Sequence, residues 1–239
     1  MIKKHYKLLV VIAVCLLIFL IYKNNNKNNI TYTSLGDGFA LGINSYGEAD
    51  YGYSDYIKDY LVKKEKLNIY TKEFCTKNMS IENLYEAIVT NRKIKKDHKE
   101  INIKQTLRES SLVTMTVGLN DIIYNISVTE NMNQHKLNQM MIEIKMNFNK
   151  LITEIRKYYP KDIYIIGYYK TESQNIYIQE AIDRLNEMFQ KNKNIIYIST
   201  TDIFKNSSLY LLNPDSIYPN YEGYKKIANK VLAKVRSNE

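Results

Sequence analysis

The chain has 239 residues, of which 45% are hydrophobic and 25% charged; this composition is ordinary for a folded globular protein and excludes bulk disorder. It has 34 basic and 25 acidic residues, a formal net charge of +9, with two cysteines and three histidines. Two cysteines exclude a disulfide framework and a four-cysteine zinc site, and three histidines leave little room for a histidine-built metal centre. The sequence carries no metal or cofactor motif.

An apolar segment with basic flanks lies near the start of the chain. Leu8 to Ile21 are 14 consecutive apolar residues, or 15 with Tyr22, which is short against the roughly 17–25 of a usual spanning helix. Lysines on both sides can snorkel towards the headgroups and extend its reach. We predict that residues 8–22 form an uncleaved transmembrane signal anchor. The alternative is a cleaved signal peptide, but the run ends without the small residues of a cleavage site.

The charges around this segment predict its orientation. Slightly more positive charge precedes the apolar run than follows it. The positive-inside rule therefore places the N-terminus in the cytoplasm and the rest of the chain outside the cell membrane. Residues 24–29 read NNNKNN and resemble a solvated linker. We divide the chain into an anchor with its linker, 1–29, and one domain, 30–239.

The basicity of the whole chain belongs partly to the anchor. Residues 1–29 hold five lysines and no acid, so the domain that follows has 29 basic and 25 acidic residues and a net charge of +4. It shows no basic stripe interleaved with aromatic residues. The sequence therefore predicts no nucleic-acid partner.

Strands and helices are predicted to alternate along the domain. Helical spacing and capping residues predict helices over 54–66, 80–91, 133–158, 176–191 and 221–236. β-rich and continuous apolar runs predict strands over 30–35, 68–74, 111–117, 162–167 and 194–198, whereas the charged stretch 92–100 is predicted to be a loop. Alternation of this kind predicts a three-layer α/β fold with about five parallel strands. Functional residues are then expected beyond the carboxyl ends of the first and third strands.

Three loop segments carry a pattern at those places. Residues 35–42 (LGDGFALG) follow the first strand, residues 117–121 (VGLND) follow the third, and residues 213–224 (NPDSIYPNYEGY) precede the last helix. In this order they resemble the conserved blocks of the SGNH hydrolases, also called the GDSL family, from about Ile30 to the C-terminus. The resemblance implies a flavodoxin-like α/β/α fold and ester hydrolysis by a serine, a histidine base, an orienting aspartate and preset oxyanion donors.

The resemblance assigns family-equivalent catalytic positions to Gly38, Gly118, Asn120, Asp215 and Tyr218. Gly38 stands where the family has its nucleophilic serine, and Tyr218 where it has its histidine. Glycine has no attacking group, and a phenol with a pKa near ~10 is a poor base at neutral pH. The oxyanion asparagine is kept as Asn120 and the orienting acid as Asp215, whereas the region 75–79 lacks the glycine of the family's second block.

No other residue is an obvious replacement for the missing pair. The other histidines lie outside the three segments, and the nearby serines are interpreted as loop or capping residues; these are His5, His98, His135, Ser34, Ser45 and Ser216. A glycine at position 38 suits a tight turn, and the ring of Tyr218 suits packing over a former pocket. Both interpretations describe a protein that keeps the fold but has lost the catalytic serine and histidine.

The sequence therefore favours a membrane-anchored, extracytoplasmic SGNH-like protein that is catalytically impaired and binds a cell-surface glycan, lipid or protein. Two alternatives stay open: an esterase or deacetylase that acts on acylated envelope polymers through a non-standard nucleophile, and a purely structural spacer. Asp37 is expected to brace its loop. Asp37, Tyr46 and Tyr168 are also candidate ligand contacts, the tyrosines as rings that stack on sugars.

Overall fold

The computed structural model describes residues 12–17, 29–171, 174–213 and 216–238, with the backbone alone for 206–208. Residues 12–17 are helical. The predicted anchor spans residues 8–22, and its other residues, 8–11 and 18–22, lie outside the described residues. Asp215 also lies outside them. In the described ranges no helix has the length and apolarity needed to cross a membrane. The anchor stays a prediction.

In the described part of the chain, the strands form a parallel sheet of five and an antiparallel pair. The strands are β1 (Ile30–Gly36), β2 (Leu67–Thr71), β3 (Lys93–Lys96), β4 (Lys99–Asn102), β5 (Leu112–Thr116), β6 (Ile163–Ile166) and β7 (Ile196–Ile198). The parallel sheet has the order β2-β1-β5-β6-β7. The prediction of an α/β fold with about five parallel strands is confirmed.

The helices flank this sheet in two groups. They are α1 (Gly38–Leu41), α2 (Tyr53–Lys63), α3 (Ile81–Val89), α4 (Ile103–Glu109), α5 (Leu119–Val128), α6 (Gln134–Arg156), α7 (Ile176–Lys191) and α8 (Tyr221–Asn238). Helices α2 and α8 pack together, whereas α6 packs against α3, α5 and α7. Every residue of β5 and β6 is buried, as expected for parallel strands that are covered on both faces.

Polar side chains at the helix starts agree with the capping signals in the sequence. Ser80 caps α3 by accepting from the backbone N–H of Asn83, and Asn133 caps α6 by accepting from that of Lys136. The long helix α6 buries an apolar stripe against the sheet. Ser80 therefore ends the loop after β2, and Asn133 ends the short connection between α5 and α6.

The predicted loop over residues 92–100 is wrong, because β3 and β4 form a hairpin there. Ile94 lies opposite Ile101 in the antiparallel register. Asp97 and His98 have φ values of 47° and 64°, the left-handed conformation that two-residue hairpin turns require. Lysines on both strands hid the alternation of the isoleucines. Helices α1, α4 and α5 were also not predicted; α1 and α4 have only four and seven residues, too few to show a helical period.

Candidate functional site

The candidate site lies at the carboxyl ends of β1 and β5. From β1 the chain continues to β2 on one side of the sheet, and from β5 it continues to β6 on the other side. Strands β1 and β5 are paired along their length, with Gly36 aligned to Thr116. Neighbouring strands whose connections diverge open a crevice at this point of an α/β sheet. The loops that contain Gly38 and Asn120 both start here, in agreement with the sequence analysis.

Asp37 braces the first of these loops. Its Oδ1 accepts from the backbone N–H of Phe39 at 3.0 Å and from Thr116 Oγ1 at 2.6 Å. Its Oδ2 accepts from the hydroxyl of Tyr168 at 2.5 Å. The residue is 1% exposed, and this burial raises its pKa to about 6 although the hydrogen bonds oppose the change. Asp37 therefore joins the ends of three strands and presents no surface to solvent.

The side-chain space at Gly38, where the resemblance places the serine, is filled by a ring. A Cβ atom built on Gly38 would lie 2.4 Å from Oη, 2.7 Å from Cε1 and 2.8 Å from Cζ of Tyr218. The same ring packs against Phe39, with 5.3 Å between the ring centroids. Burial, and secondarily the charge of Asp37, raise the pKa of the Tyr218 phenol. The phenol is therefore neutral at physiological pH and cannot accept a proton from a nucleophile.

The two groups that the resemblance assigns as oxyanion donors are engaged with main-chain carbonyls. The backbone N–H of Gly38 donates to the carbonyl oxygen of Lys77 at 3.2 Å. The side-chain Nδ2 of Asn120 donates to the same oxygen at 3.2 Å and to the carbonyl of Met79 at 3.0 Å. Two donors that would hold a substrate oxyanion thus converge on the Lys77 carbonyl. Residues 75–79, which lack the family's glycine, supply that carbonyl.

A glycine turn places Asn120 at this point. Gly118 has a φ of 110° and precedes the first residue of α5, a conformation that favours glycine. The next acidic residue, Asp121, accepts from the backbone N–H of Ile81 at 3.0 Å and so ties the start of α5 to the start of α3. Burial raises the pKa of Asp121 to about 6. Sequence reasoning missed this role, although the residue belongs to the VGLND segment.

Aromatic rings fill the crevice beneath Tyr218. Among the described residues, the ring of Phe39 lies against those of four tyrosines, with centroid distances from 5.3 to 6.4 Å: Tyr168, Tyr169, Tyr218 and Tyr224. All of these rings except Tyr218 are buried. Stacking and edge contacts of this kind hold rings together beyond the effect of burial alone. The crevice is therefore closed by side chains that belong to the core.

The remaining candidate residues lie around this closed centre without forming a catalytic pair. Tyr46 is 81% exposed in the loop beyond α1. Ser45 Oγ donates to the carbonyl of Tyr218, and Ser216 Oγ accepts from its backbone N–H. His98 lies in the turn of the β3–β4 hairpin and His135 in the first turn of α6, both exposed. Ser34 is buried within the sheet. In the described residues, no three His, Cys, Asp or Glu side chains lie together in a way that could hold a metal ion.

Comparisons with known proteins agree with this fold. A family model described as GDSL-like lipase/acylhydrolase matches residues 32–231. The lipase Lip_vut3 from a goat rumen metagenome superposes with a TM-score of 0.67 at 17% identity, over 84% of this chain and 95% of that one. A catalytic mutant of Axe2, an acetylxylan esterase from Geobacillus stearothermophilus, gives 0.60 at 13% identity, over 87% and 94%. No curated protein sequence matches the chain. At these identities the structural likeness shows the fold alone.

Proposed function

The chain belongs to the GDSL-like lipase/acylhydrolase family, and on that premise we propose that it is a member that binds its ligand without cleaving it. One observation carries the proposal: the space for a nucleophile's side chain and the site for a substrate oxyanion are both occupied by the protein itself. The Tyr218 ring occupies the side-chain space at Gly38. The Lys77 carbonyl takes the hydrogen bonds of Gly38 and Asn120.

The magnitudes favour binding over turnover. Loss of a triad nucleophile lowers turnover on the order of 10⁶-fold. The oxyanion donors that are left in such an enzyme still give roughly 10³–10⁴ over water. Here these donors are directed at a main-chain oxygen, so that residual contribution is also removed unless residues 75–79 move.

A working esterase with a relocated nucleophile is the competing reading. It needs a hydroxyl beside a base, whereas Ser45 and Ser216 both bond to the backbone of Tyr218. The described histidines lie in the hairpin turn and at the start of α6. We therefore treat hydrolysis of acylated envelope polymers as the outcome that would contradict the proposal.

We also propose that residues 8–22 anchor the chain in the cell membrane, with the domain on the extracytoplasmic side, where a glycan or lipid of the cell envelope is the expected ligand. The apolar run between lysines supports this. The linker 24–29 leads to Ile30, at the amino end of β1. Because the candidate site lies at the carboxyl end of the same strand, it would face away from the membrane.

The proposal is tested with the full chain in detergent micelles. We expect no hydrolysis of an aryl acetate above the buffer rate and no covalent labelling by a fluorophosphonate probe. A labelled serine, located by mass spectrometry, would refute the proposal. Ser45→Ala and Ser216→Ala are the matched controls, because each removes a hydroxyl beside Tyr218 and should leave the background rate unchanged.

A second arm restores the missing groups. The double variant Gly38→Ser with Tyr218→His replaces the nucleophile and the base, yet leaves the Lys77 carbonyl in place. We expect at most weak turnover from it. The membrane proposal has its own readout: in intact cells, protease added outside should digest the domain, and alkaline carbonate should leave the chain in the membrane fraction. Extraction by carbonate would contradict the anchor.

A further inference from the structure

A polar groove adjoins the closed site on its α3 side. It has a volume of about 650 Å³ and lies between the first turn of α3, the helix α5 and the middle of α6. Asn120 belongs both to this groove and to the wall of the closed site. Sites for small molecules usually measure roughly 300–1,000 Å³. The groove is therefore large enough for a ligand although the catalytic crevice is filled.

Asparagine dominates the polar lining of the groove. The described lining residues include Asn78, Asn83, Asn120, Asn125 and Asn147. An amide has two donors and an acceptor, which suits the hydroxyl groups of a sugar. Asn83, Asn120 and Asn125 already make side-chain hydrogen bonds within the protein. Asn78 and Asn147 make no side-chain hydrogen bond within the described part of the chain, so their amides are free for a ligand. Tyr124, 67% exposed on α5, adds an aromatic face on which a sugar ring can stack.

The charges of the groove have one sign. Its charged residues are Glu82, Asp121 and Glu143, and none of the described lining residues is basic, although the domain as a whole has an excess of basic residues. Glu82 and Glu143 are exposed and form no ion pair within the described ranges. Carboxylates grouped in this way repel an anionic ligand and attract a cation. Hydroxyl recognition and negative charge together match a sugar that carries amines.

We propose that this groove binds an oligosaccharide with free amino groups, of the glucosamine type. The amides of Asn78 and Asn147 bond to the hydroxyls, the ring of Tyr124 stacks on a sugar face, and the two exposed glutamates pair with ammonium groups. The inference rests on the proposed function, since it names the ligand of a protein that binds without cleaving.

The test is calorimetric titration of the full chain in detergent micelles with three oligosaccharides of equal length. We expect the glucosamine oligomer to bind about tenfold or more tightly than the N-acetylglucosamine oligomer, and added salt to weaken this binding. The galacturonate oligomer should not bind. Equal affinity for the first two, a preference for the galacturonate, or no binding of any of them would overturn the proposal.

Variants locate the site. Glu82→Gln combined with Glu143→Gln should weaken glucosamine binding about tenfold or more, and Tyr124→Ala should weaken binding of the neutral oligomer too. Glu109→Gln, an exposed carboxylate at the end of α4, is the matched control and should bind as the parent does. Equal thermal unfolding of all variants is required for the comparison. Unchanged binding in the double variant would refute the assignment. Release of acetate from the N-acetylated oligomer would instead contradict the absence of catalysis, so the two failures are distinguishable.

Discussion

The contact between Gly38 and Tyr218 gives the sharpest expectation about this protein. The φ of Gly38 lies outside the positive range, and the residue begins α1, so an alanine there meets no backbone strain. Without a clash, Gly38→Ala should raise the free energy of unfolding by about 0.5–1 kcal/mol. The new Cβ would, however, lie 2.4 to 2.8 Å from three atoms of the Tyr218 ring. Overpacking of this kind typically costs about 1–3 kcal/mol.

A double-mutant cycle separates these two terms. Gly38→Ala should destabilise the parent chain, but it should be neutral or stabilising in a Tyr218→Ala background, where the ring is absent. The coupling energy is then about 2 kcal/mol, or roughly 4–8 °C in Tm for a domain of this size. Thermal unfolding of the four proteins measures it. Tyr218→Phe is the matched control, because it keeps Cε1 and Cζ and should retain most of the coupling.

Additivity would refute the reasoning. If the two substitutions sum to within about 0.3–0.5 kcal/mol of the double variant, the ring does not occupy the side-chain space of residue 38. The central observation behind the proposed loss of catalysis would then fail. The same conclusion would follow if Gly38→Ala stabilised the parent chain.

Three further predictions concern the surroundings of the site. Burial raises the pKa of Asp37 from 3.8 to about 6, so the contribution of this carboxyl to stability is full below about pH 4 and is lost as the pH rises through 6. The parent chain should therefore lose up to about 3 kcal/mol of unfolding free energy between pH 4 and 7, and Asp37→Asn should abolish this loss. Urea unfolding across this pH range measures it, and an unchanged pH profile in the variant would contradict the prediction. Asn120→Ala removes two hydrogen bonds to main-chain carbonyls and should lower the free energy of unfolding by about 1–3 kcal/mol. Gln139→Ala is the control, because this exposed amide of α6 makes no side-chain hydrogen bond within the described part of the chain. His98→Gly relieves a φ of 64° in the hairpin turn and should raise the free energy of unfolding by about 0.5–1 kcal/mol; a loss of stability would show that the His98 side chain holds the turn.

Sequence reasoning reached the layout of the site because the relevant signals are local. Gly38 and Asn120 follow apolar strands directly, and the ends of neighbouring parallel strands must meet at one edge of the sheet. The same reasoning failed for residues 92–100, since a hairpin is stabilised by pairing across strands that a single stretch does not reveal. The candidate ligand contacts Tyr46 and Tyr168 show that the sequence also does not reveal which side chains are buried. In sequence they are two tyrosines beside a site, whereas in the fold one is exposed and the other is buried against Asp37.

The sequence by itself determined the chain positions of the five parallel strands and of five helices, the absence of a serine at position 38 and of a histidine at position 218, and the survival of Asn120. These are properties of residue identity and of spacing along the chain. Only the tertiary structure decided that the Tyr218 ring fills the space over Gly38 and that the Lys77 carbonyl takes up the oxyanion donors. Both contacts join segments far apart in the chain, and their distances follow from how the loops pack at the sheet edge, which no local pattern records.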